Sequence, residues 1–216
     1  MMMSPLTKQI FENRKFLFIH QVKEWAEILV NFETRNKYKV IDENGTPVGF
    51  MAEEAGGFFD SIKRMIFRSH RGFKISLFNV SKEQVMTFKR PFFWFFSDLT
   101  VFDSNNLVLG HIYRRFGFIH KRYDLVTSSG EIFGKISSPM WKLWTFKIMD
   151  SKDREIGEIS KKWGGILKEA FTDADKFGVS FEHLDDQKKA IAFGAAISID
   201  FDFFEDNVNR NRSQNF

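Results

Sequence analysis

Apolar and polar residues alternate along most of this chain, in pairs of short runs separated by turn-forming residues. A period of two is typical of a strand with one buried face, and two such runs around a turn predict a β-hairpin. Around Gly130, for example, Tyr123, Leu125, Ile132 and Ile136 alternate with polar neighbours. Segments with this hairpin pattern lie at residues 36–54, 73–91, 98–115, 121–139 and 145–162.

The hairpins form a repeat, because after the first one their centres recur about every 24 residues, the length of two strands and two turns. They supply ten strands, and short runs at 167–172 and 177–182 raise the count to about twelve. A meander of so many antiparallel strands leaves reactive edges unless it closes. The pattern therefore predicts a mainly β fold, a closed antiparallel barrel.

The exception to the alternation is the segment 187–204, which has helical character with apolar residues on all faces. A helix that is apolar all round must be buried. Its uninterrupted apolar part, 190–199, has about half of the ~20 residues that a membrane-spanning helix needs, and Asp200 and Asp202 follow it. We therefore predict a structural helix enclosed by the barrel rather than a membrane span, with core residues Ile191, Phe193, Ile197 and Ile199.

Length and composition are consistent with this single core. The chain has 216 residues, including 28 Phe and no Cys. We expect one domain over 1–205, with its core from about residue 18, and a loose polar tail over 206–216. Without Cys there is no disulfide framework and no Cys nucleophile, and the start of the chain lacks the features of a secretory signal. These observations favour a cytoplasmic location.

The charge balance is weakly basic, with a net charge of +4 and a sequence pI of about 9.2. Such a balance favours anionic partners, either phospholipid headgroups or nucleic acid, although many proteins carry a similar excess with no anionic partner. The five His residues have no metal-ligand spacing, and the sequence has neither a nucleophile elbow nor a phosphate-cradling Gly-rich loop. We therefore expect a binding protein rather than an enzyme, and infer no small-molecule substrate.

Three segments resemble the phospholipid scramblase family. Phe-Glu-Thr at 32–34 precedes Asn-Lys-Tyr at 36–38, the run KKWGGILKEAFTDADKFG occupies 161–178, and IDFDFFE occupies 199–205. The resemblance extends from about residue 18 to residue 205. It implies the tubby-like architecture, a twelve-stranded barrel around a hydrophobic C-terminal helix, in agreement with the pattern of alternation.

The resemblance also implies a function that the pattern alone does not. Family members are associated with calcium-responsive movement of phospholipids between leaflets, with membrane tethering and, in some relatives, with nuclear import and DNA binding. This chain lacks the Cys cluster that relatives palmitoylate, so we expect peripheral and reversible attachment to anionic phospholipids, phosphoinositides among them. The alternative is a DNA-associated regulator that uses the same basic surface.

A weak calcium site is the first candidate for chemistry, and the resemblance places its loop at the start of the last strand. Calcium needs several hard oxygen ligands, whereas Leu184 stands where a bidentate acid is wanted. This incomplete set predicts a dissociation constant of about 10⁻⁴ to 10⁻³ M. The alternative is an acidic turn between two strands. The expected ligands are Asp173, Asp175, the backbone carbonyls of Phe177 and Val179, and Asp185.

Basic clusters are the second candidate, because Arg binds phosphate through a planar fork and Lys through a point charge. The alternative for each cluster is an ordinary solvated surface. The expected headgroup-binding residues are Arg68, Arg71, Lys74, Arg114 and Arg115.

An aromatic run, PFFWFF at 91–96, is the third candidate. It is too apolar for a half-buried strand and is flanked by Lys89 and Arg90, which predicts an exposed patch that contacts membrane through Phe93, Trp94 and Phe95. The alternative is a core strand with both faces covered.

Overall fold

Twelve antiparallel strands close into a barrel around a buried helix, as the sequence pattern predicts. The computed structural model describes residues 3–21, 34–54, 72–139, 141, 144–161, 176–181 and 183–203. In chain order the elements are α1 (Pro5–Phe11), β1 (Phe16–Gln21), β2 (Thr34–Asp42), β3 (Pro47–Glu54), β4 (Phe73–Asn79), β5 (Gln84–Arg90), β6 (Asp98–Asp103), β7 (Val108–Arg115), β8 (His120–Thr127), β9 (Ile132–Pro139), β10 (Thr145–Met149), β11 (Glu155–Ser160), β12 (Lys176–Ser180) and α2 (Asp186–Phe203).

The hairpin turns share one geometry, which explains the regular repeat. At the end of β2, Asp42 Oδ1 accepts hydrogen bonds of 2.9 Å from the backbone N–H groups of Asn44 and Thr46. In each of the other four hairpins a side chain at the end of the first strand, or directly after it in the case of Asp150, accepts from its own turn in a similar way. Because this chemistry is local, each turn sets the register of its own hairpin. Three residues after the accepting side chain the backbone φ is positive, at Gly45, Lys82, Asn106, Gly130 and Asp153.

Closure joins the two strands that lie outside the hairpin repeat. Phe16 of β1 pairs with Ser180 of β12, and β1 also pairs with β2. The run predicted at 177–182 corresponds to β12, whereas the remaining strand is β1, and residues 167–172 lie outside the described part of the chain. Ile132 is exposed, contrary to the predicted alternation, because the register of β8 and β9 shifts beside the turn at Gly130.

The helix α2 fills the barrel. Ile191, Phe193 and Ile199 have no exposed surface, and Ile197 is 3% exposed. The strands approach the helix closely, because a Cβ atom on Gly110 of β7 would lie 2.5 Å from the side chain of Ile191. Larger side chains at such positions would force the helix and the strand apart.

The barrel has two different ends, which we name the turn end and the loop end. The turn end carries the five hairpin turns, the start of α2 and the short helix α1. The side chain of Ser4 caps α1, with Pro5 in its first turn, and the backbone N–H of Ser4 donates to Asp103 at 3.1 Å. The ring of Phe11 packs edge-on against Phe181 and Phe193. Helix α1 therefore covers the core at this end.

The loop end carries the connections that follow β5, β7 and β9, together with the last turn of α2. The connection after β5 has seven residues, 91–97, and is longer than the hairpin turns, whereas the connection after β7 has four, 116–119. The ends of these strands and the end of α2 meet at the loop end. Charged residues that are distant in sequence, such as Arg90 and Asp202, therefore come together there.

Candidate functional site

A buried ion pair joins the last turn of α2 to strand β5 at the loop end. Asp202 Oδ1 lies 2.7 Å from Arg90 Nη1, and their side chains are 1% and 2% exposed. Asp202 Oδ2 accepts a hydrogen bond of 2.7 Å from the Tyr123 hydroxyl of β8 and a longer one of 3.4 Å from Ser97. Burial and the Asp202 carboxylate raise the pKa of Tyr123 well above its ordinary value, so the phenol remains a donor.

The Arg90 guanidinium also packs against aromatic rings. Its Cζ lies 4.4 Å from the ring centroid of Phe73, 5.1 Å from that of Phe93 and 5.9 Å from that of Phe201. Cation–π contacts of this kind stabilise a desolvated guanidinium. Phe93 is therefore buried beside Arg90, and the prediction that it is exposed with its neighbours is wrong.

Two more cations lie near this carboxylate on the inner face of the barrel wall. Arg114 Nη1 lies 3.8 Å from Asp202 Oδ2, and the Arg114 side chain is 35% exposed. The Lys121 ammonium lies 5.7 Å from the centroid of the Phe146 ring. Burial and, to a smaller extent, the Arg114 charge lower the pKa of Lys121 to about 8, and the Asp202 charge opposes them only in part. The loop end thus concentrates positive charge around one buried carboxylate.

Large apolar side chains are exposed around this charged cluster, on the loops that follow β5, β7 and β9. Ring contacts connect two of these loops, because Phe96 packs edge-on against Phe116, which packs edge-on against Phe118. We name this surface the apolar rim, and it consists of Phe92, Trp94, Phe95, Phe96, Phe116, Phe118, Ile119, Trp141 and Trp144.

The apolar rim is exposed to an extent unusual for such side chains. Phe95 is 84% exposed and Phe118 85%, while Trp141 is 73% exposed. Exposed apolar side chains that are contiguous, as Phe96, Phe116 and Phe118 are, mark a site that contacts a partner or a membrane. Trp94 and Phe95 are therefore exposed, as the aromatic run predicts. Residues 91–97 form a loop, so the alternative of a core strand with both faces covered is wrong.

The structure separates the predicted headgroup-binding residues. Arg114 points into the loop end, whereas Arg115 Nε lies 2.7 Å from Asp124 Oδ2 and Lys74 Nζ lies 2.7 Å from Glu54 Oε1. Both pairs are partly exposed, so neither contributes much to stability. The structure thus does not bring these three cations together. Arg68 and Arg71 lie outside the described residues.

The predicted calcium ligands do not surround one point where the structure describes them. Phe177 and Val179 lie in β12, an extended strand paired with β1 and β11. Asp185 lies at the turn end, where its Oδ1 accepts from the backbone N–H of Lys188 at 2.8 Å and caps α2. The structure thus places these three residues in a paired strand and a helix cap, and their role as calcium ligands stays a prediction.

The remaining calcium ligands, Asp173 and Asp175, lie outside the described residues, so calcium binding itself stays a prediction. Among the residues that the structure describes, no group of three or more His, Asp or Glu side chains is placed to hold a metal ion. Nor does that part of the chain contain a helix with the length and hydrophobicity to cross a membrane.

The sequence pattern predicted neither the ion-pair cluster nor the part of the apolar rim that lies on the loop after β7. Arg90 and Asp202 are separated by 112 positions, so no local pattern connects them. The loop that holds Phe116, Phe118 and Ile119 had a usable signal, because three large apolar residues lie between two strands at a predicted turn.

Comparison with known proteins identifies relatives across the whole barrel. The family model described as Scramblase matches residues 1–206. Human phospholipid scramblase 1 is 32% identical over 88% of this chain and 63% of its own length. Bovine phospholipid scramblase 2 is 30% identical over 88% of this chain and 68% of its own. A phospholipid scramblase family protein of Schizosaccharomyces pombe is 24% identical over 87% of this chain and 59% of its own.

The chain thus spans about three fifths of the length of several curated relatives that it matches. Among solved structures, a protein from Arabidopsis thaliana aligns over 90% of this chain and 92% of its own, with a TM-score of 0.47 and 14% identity.

Proposed function

Because this chain belongs to the scramblase family, we propose that it binds phospholipid membranes peripherally and moves phospholipids between leaflets. The observation that carries the proposal is the apolar rim, which places exposed Trp and Phe side chains on three loops at one end of a closed barrel. A binding and transfer role of this kind requires no chemical step, which is consistent with the absence of catalytic motifs in the sequence.

The physical basis of the docking is the amphipathic character of aromatic side chains at a membrane interface. Transfer of Trp and Phe side chains from water to the boundary between headgroups and acyl chains lowers the free energy. Transfer of apolar surface from water is worth about 25 cal/mol per Å², so several rings that insert together support reversible binding. The rim is one-sided, so we expect the barrel to dock with its loop end facing the bilayer.

Preference for anionic membranes is the finer part of the proposal. Lys89 and Arg115 are exposed near the rim, and Arg114 is partly exposed beneath it. A basic side chain near an anionic membrane surface contributes about 1 kcal/mol, and the contribution falls with increasing salt. We propose that calcium acts through Asp173 and Asp175, with lipid phosphate oxygens completing its coordination shell.

The names of the relatives support phospholipids as the ligand class. The human and bovine proteins are each named phospholipid scramblases, and they are similar to this chain over 88% of its length. Neither the comparisons nor any contact in the described residues favours the DNA-associated alternative. Duplex DNA therefore enters only as a competing outcome in the experiment.

Vesicle co-sedimentation tests the docking surface. The double variant Trp94→Ser with Phe95→Ser removes two exposed rings, and we expect at least about a tenfold loss of binding to vesicles of phosphatidylcholine and phosphatidylserine. The matched control is Val80→Ser, which replaces a residue 57% exposed at the turn end. The control is expected to bind as the unmodified protein does, and both variants should unfold within about 0.5 kcal/mol of it.

Lipid movement is measured in the same vesicles with a fluorescent lipid and a membrane-impermeant quencher. The protein should accelerate loss of inner-leaflet fluorescence, and the double variant should not. Unchanged vesicle binding by the double variant contradicts docking through the apolar rim. Binding to duplex DNA but not to vesicles, at one salt concentration, contradicts the proposed function as a whole.

A further inference from the structure

We propose that a cavity between β9 and the β10–β11 turn binds the first turn of a helix from a partner protein. The helix carries a Ser or Thr hydroxyl in that turn and a large apolar side chain four residues later. The cavity lies at the turn end, away from the apolar rim, so the inference does not depend on the proposed function. It rests on a position that recurs in three hairpins, because a helix of this chain fills it in two of them.

The recurring position pairs a turn residue with a residue of the preceding strand. In each case the turn residue is a Ser that directly follows the side chain that accepts from its turn. Continuation of the strand register places this Ser opposite the second residue of the strand before it. The three pairs are Ser104 with Val85, Ser128 with Leu109, and Ser151 with Phe133.

Helix α1 fills the first pair. The Thr7 hydroxyl donates to the carbonyl of Val85 at 2.6 Å and accepts from the backbone N–H of Ser104 at 3.1 Å. The hydroxyl of Ser4, the residue that caps α1, lies 2.7 Å from the Ser104 hydroxyl. Phe11 follows Thr7 by four positions, on the same face of the helix, and is fully buried. One hydroxyl thus bridges the pair while an apolar ring of the same helix enters the core.

Helix α2 contacts the second pair in a related way. The N–H of Ser128 donates directly to the carbonyl of Leu109 at 3.0 Å. Gln187, in the first turn of α2, donates to the same carbonyl at 2.8 Å and to the Ser128 hydroxyl at 3.3 Å. In both pairs, therefore, a polar side chain from the first turn of a helix bonds to the Ser and to the carbonyl opposite it.

No described residue of this chain bridges the third pair. The N–H of Ser151 is not hydrogen-bonded to the Phe133 carbonyl or to any other described group. Both residues line a cavity of about 440 Å³, which is within the range of about 300–1,000 Å³ that ligand-binding pockets have. An unmade bond alone does not mark a site, because Val80 and Val48, the equivalent pair of β4 and β3, also lack it. The cavity and the two filled equivalents together carry the inference.

The floor of the cavity suits the apolar side chain of such a helix. Phe133, Ile156 and Leu184 line it and are buried. Ile132 lines it too and is 44% exposed, so the apolar floor reaches the surface. A large apolar side chain that enters the cavity would cover Ile132 and contact the same core layer that Phe11 contacts beneath α1.

The charge at the edge of the cavity suits the start of a helix. The charged residues that line the cavity are Glu131, Asp150, Arg154, Glu155 and Lys188. Three of these are acidic and two are basic, an excess of one negative charge. Glu131 and Glu155 have side chains that are 59% and 36% exposed, so they are accessible from solvent. Acidic side chains are favourable near the first turn of a helix, because the unpaired N–H groups there carry partial positive charge.

The first experiment uses a synthetic peptide with the sequence of residues 3–13, because its Thr and Phe have the required spacing. Amide hydrogen exchange of the intact protein, followed by ¹⁵N–¹H spectra, compares the three Ser amides. Without peptide, the Ser104 and Ser128 amides should be protected and the Ser151 amide should exchange fast. The peptide should protect Ser151, with a dissociation constant of about 10⁻⁴ to 10⁻³ M, because a short isolated helix must order on binding.

Two results of this experiment overturn the proposal. The first is a Ser151 amide whose exchange and chemical shift do not change at millimolar peptide. The second is loss of protection at Ser104 with no change at Ser151, which would mean that the peptide displaces α1 from its own position.

The second experiment removes the Ser151 N–H alone. Ser151 is the second residue of a turn closed by the bond from the Asp153 N–H to the Asp150 carbonyl, a position at which Pro is favoured. Ser151→Pro should therefore fold normally and bind the peptide roughly tenfold more weakly. The matched control is Val80→Pro, which removes the N–H at the equivalent position of another hairpin and should bind as the unmodified protein does.

A change in the peptide tests the hydroxyl. The Thr7→Val peptide keeps the shape of the side chain and should bind roughly tenfold more weakly. If Ser151→Pro binds the peptide as tightly as Val80→Pro does, or if the Thr7→Val peptide binds as tightly as the unmodified peptide, the proposal is overturned. Thermal unfolding of both Pro variants shows that any loss of binding is not a loss of folding.

Discussion

The two ends of the barrel place polar and apolar side chains in opposite ways. At the turn end, polar groups bond within the turns and to α1, and the large ring of Phe11 is buried against the core. At the loop end, the charged groups of Arg90 and Asp202 are buried, and large rings such as Phe95 face solvent. The turn end shows what stability requires, so the inverted arrangement at the loop end points to contact with a partner other than water.

Both features of the loop end have a physical cost. A buried ion pair is weak evidence for stability, because desolvation of two charges offsets most of their attraction. Exposed apolar surface also favours aggregation. At the turn end α1 covers the core, and the exposed large apolar residues are single ones such as Val80 and Ile132. We therefore expect the two ends to contribute to stability through different interactions, and mutations at each end test that difference.

The largest effect is expected from Asp202→Ala at the loop end. The variant leaves the buried Arg90 guanidinium without its 2.7 Å partner, and removal of one member of a buried pair costs about 3–5 kcal/mol. Denaturant unfolding measures this free energy. Asp202→Asn, which keeps an acceptor oxygen, should lose less. A cost below about 1 kcal/mol for Asp202→Ala would show that the loop end does not hold α2.

A smaller loss of stability is expected from Asp103→Ala at the turn end. Asp103 accepts from its own turn, at Asn105 and Leu107, and from Ser4 of α1. Loss of these buried acceptors should cost about 1–3 kcal/mol. The matched control is Asp150→Ala, whose carboxylate serves an equivalent turn without contact to α1. Equal losses of unfolding free energy in the two variants would show that the contact between Asp103 and α1 does not stabilise the turn end.

Lys121→Met should stabilise the protein in a pH-dependent manner. Because the folded-state pKa of Lys121 is lowered to about 8, folding at neutral pH carries the penalty of a partly buried ammonium. As pH rises through 8, the folded state loses this proton before the unfolded state does, so the unmodified protein gains stability. The Met variant lacks that gain. The difference in melting temperature should therefore be largest at pH 7 and smaller at pH 9, and a constant difference contradicts the assignment.

The smallest effect is expected from calcium. With Phe177 and Val179 in a strand, Asp173 and Asp175 supply too few oxygens for a tight site, and we expect a dissociation constant of about 10⁻⁴ to 10⁻³ M. Anionic vesicles should strengthen binding, because phosphate oxygens complete the shell. Titration calorimetry with and without vesicles measures both values. Micromolar binding without lipid contradicts this prediction, as does heat that is unchanged in Asp173→Ala with Asp175→Ala.

The alternating pattern predicted most of the barrel, because strand period and turn chemistry are both local. The turn at Gly45 and the all-apolar helix are recognisable without knowledge of any other part of the chain. Helix α1 was missed although Ser4 followed by Pro5 is a helix-start signal, since a helix of seven residues shows too few turns for a period. Strand β1 was missed because its partners are β2 and β12, not a hairpin neighbour on both sides.

The site was less predictable than the fold. The exposure of Trp94 and Phe95 follows from local composition, but burial of Phe93 depends on Arg90, which Asp202 holds from the far end of the sequence. Arg114 and Lys121 were recognisable as basic residues, yet only the strand register shows that they share the inner face. Sequence patterns predict which side chains are exposed on one element, whereas a cluster built from several elements requires the closed barrel.

The order of the elements also has a consequence for synthesis on the ribosome. Strand β12 closes the barrel against β1, and α2, which fills it, comes after β12. At about 5–20 residues per second, roughly ten to thirty seconds separate the emergence of β1 from that of α2. During this interval the inner faces of the earlier strands have no helix to cover them. Native closure therefore waits until β12 and α2 have emerged, and we expect chaperones that shield apolar strands to bind the nascent chain before then.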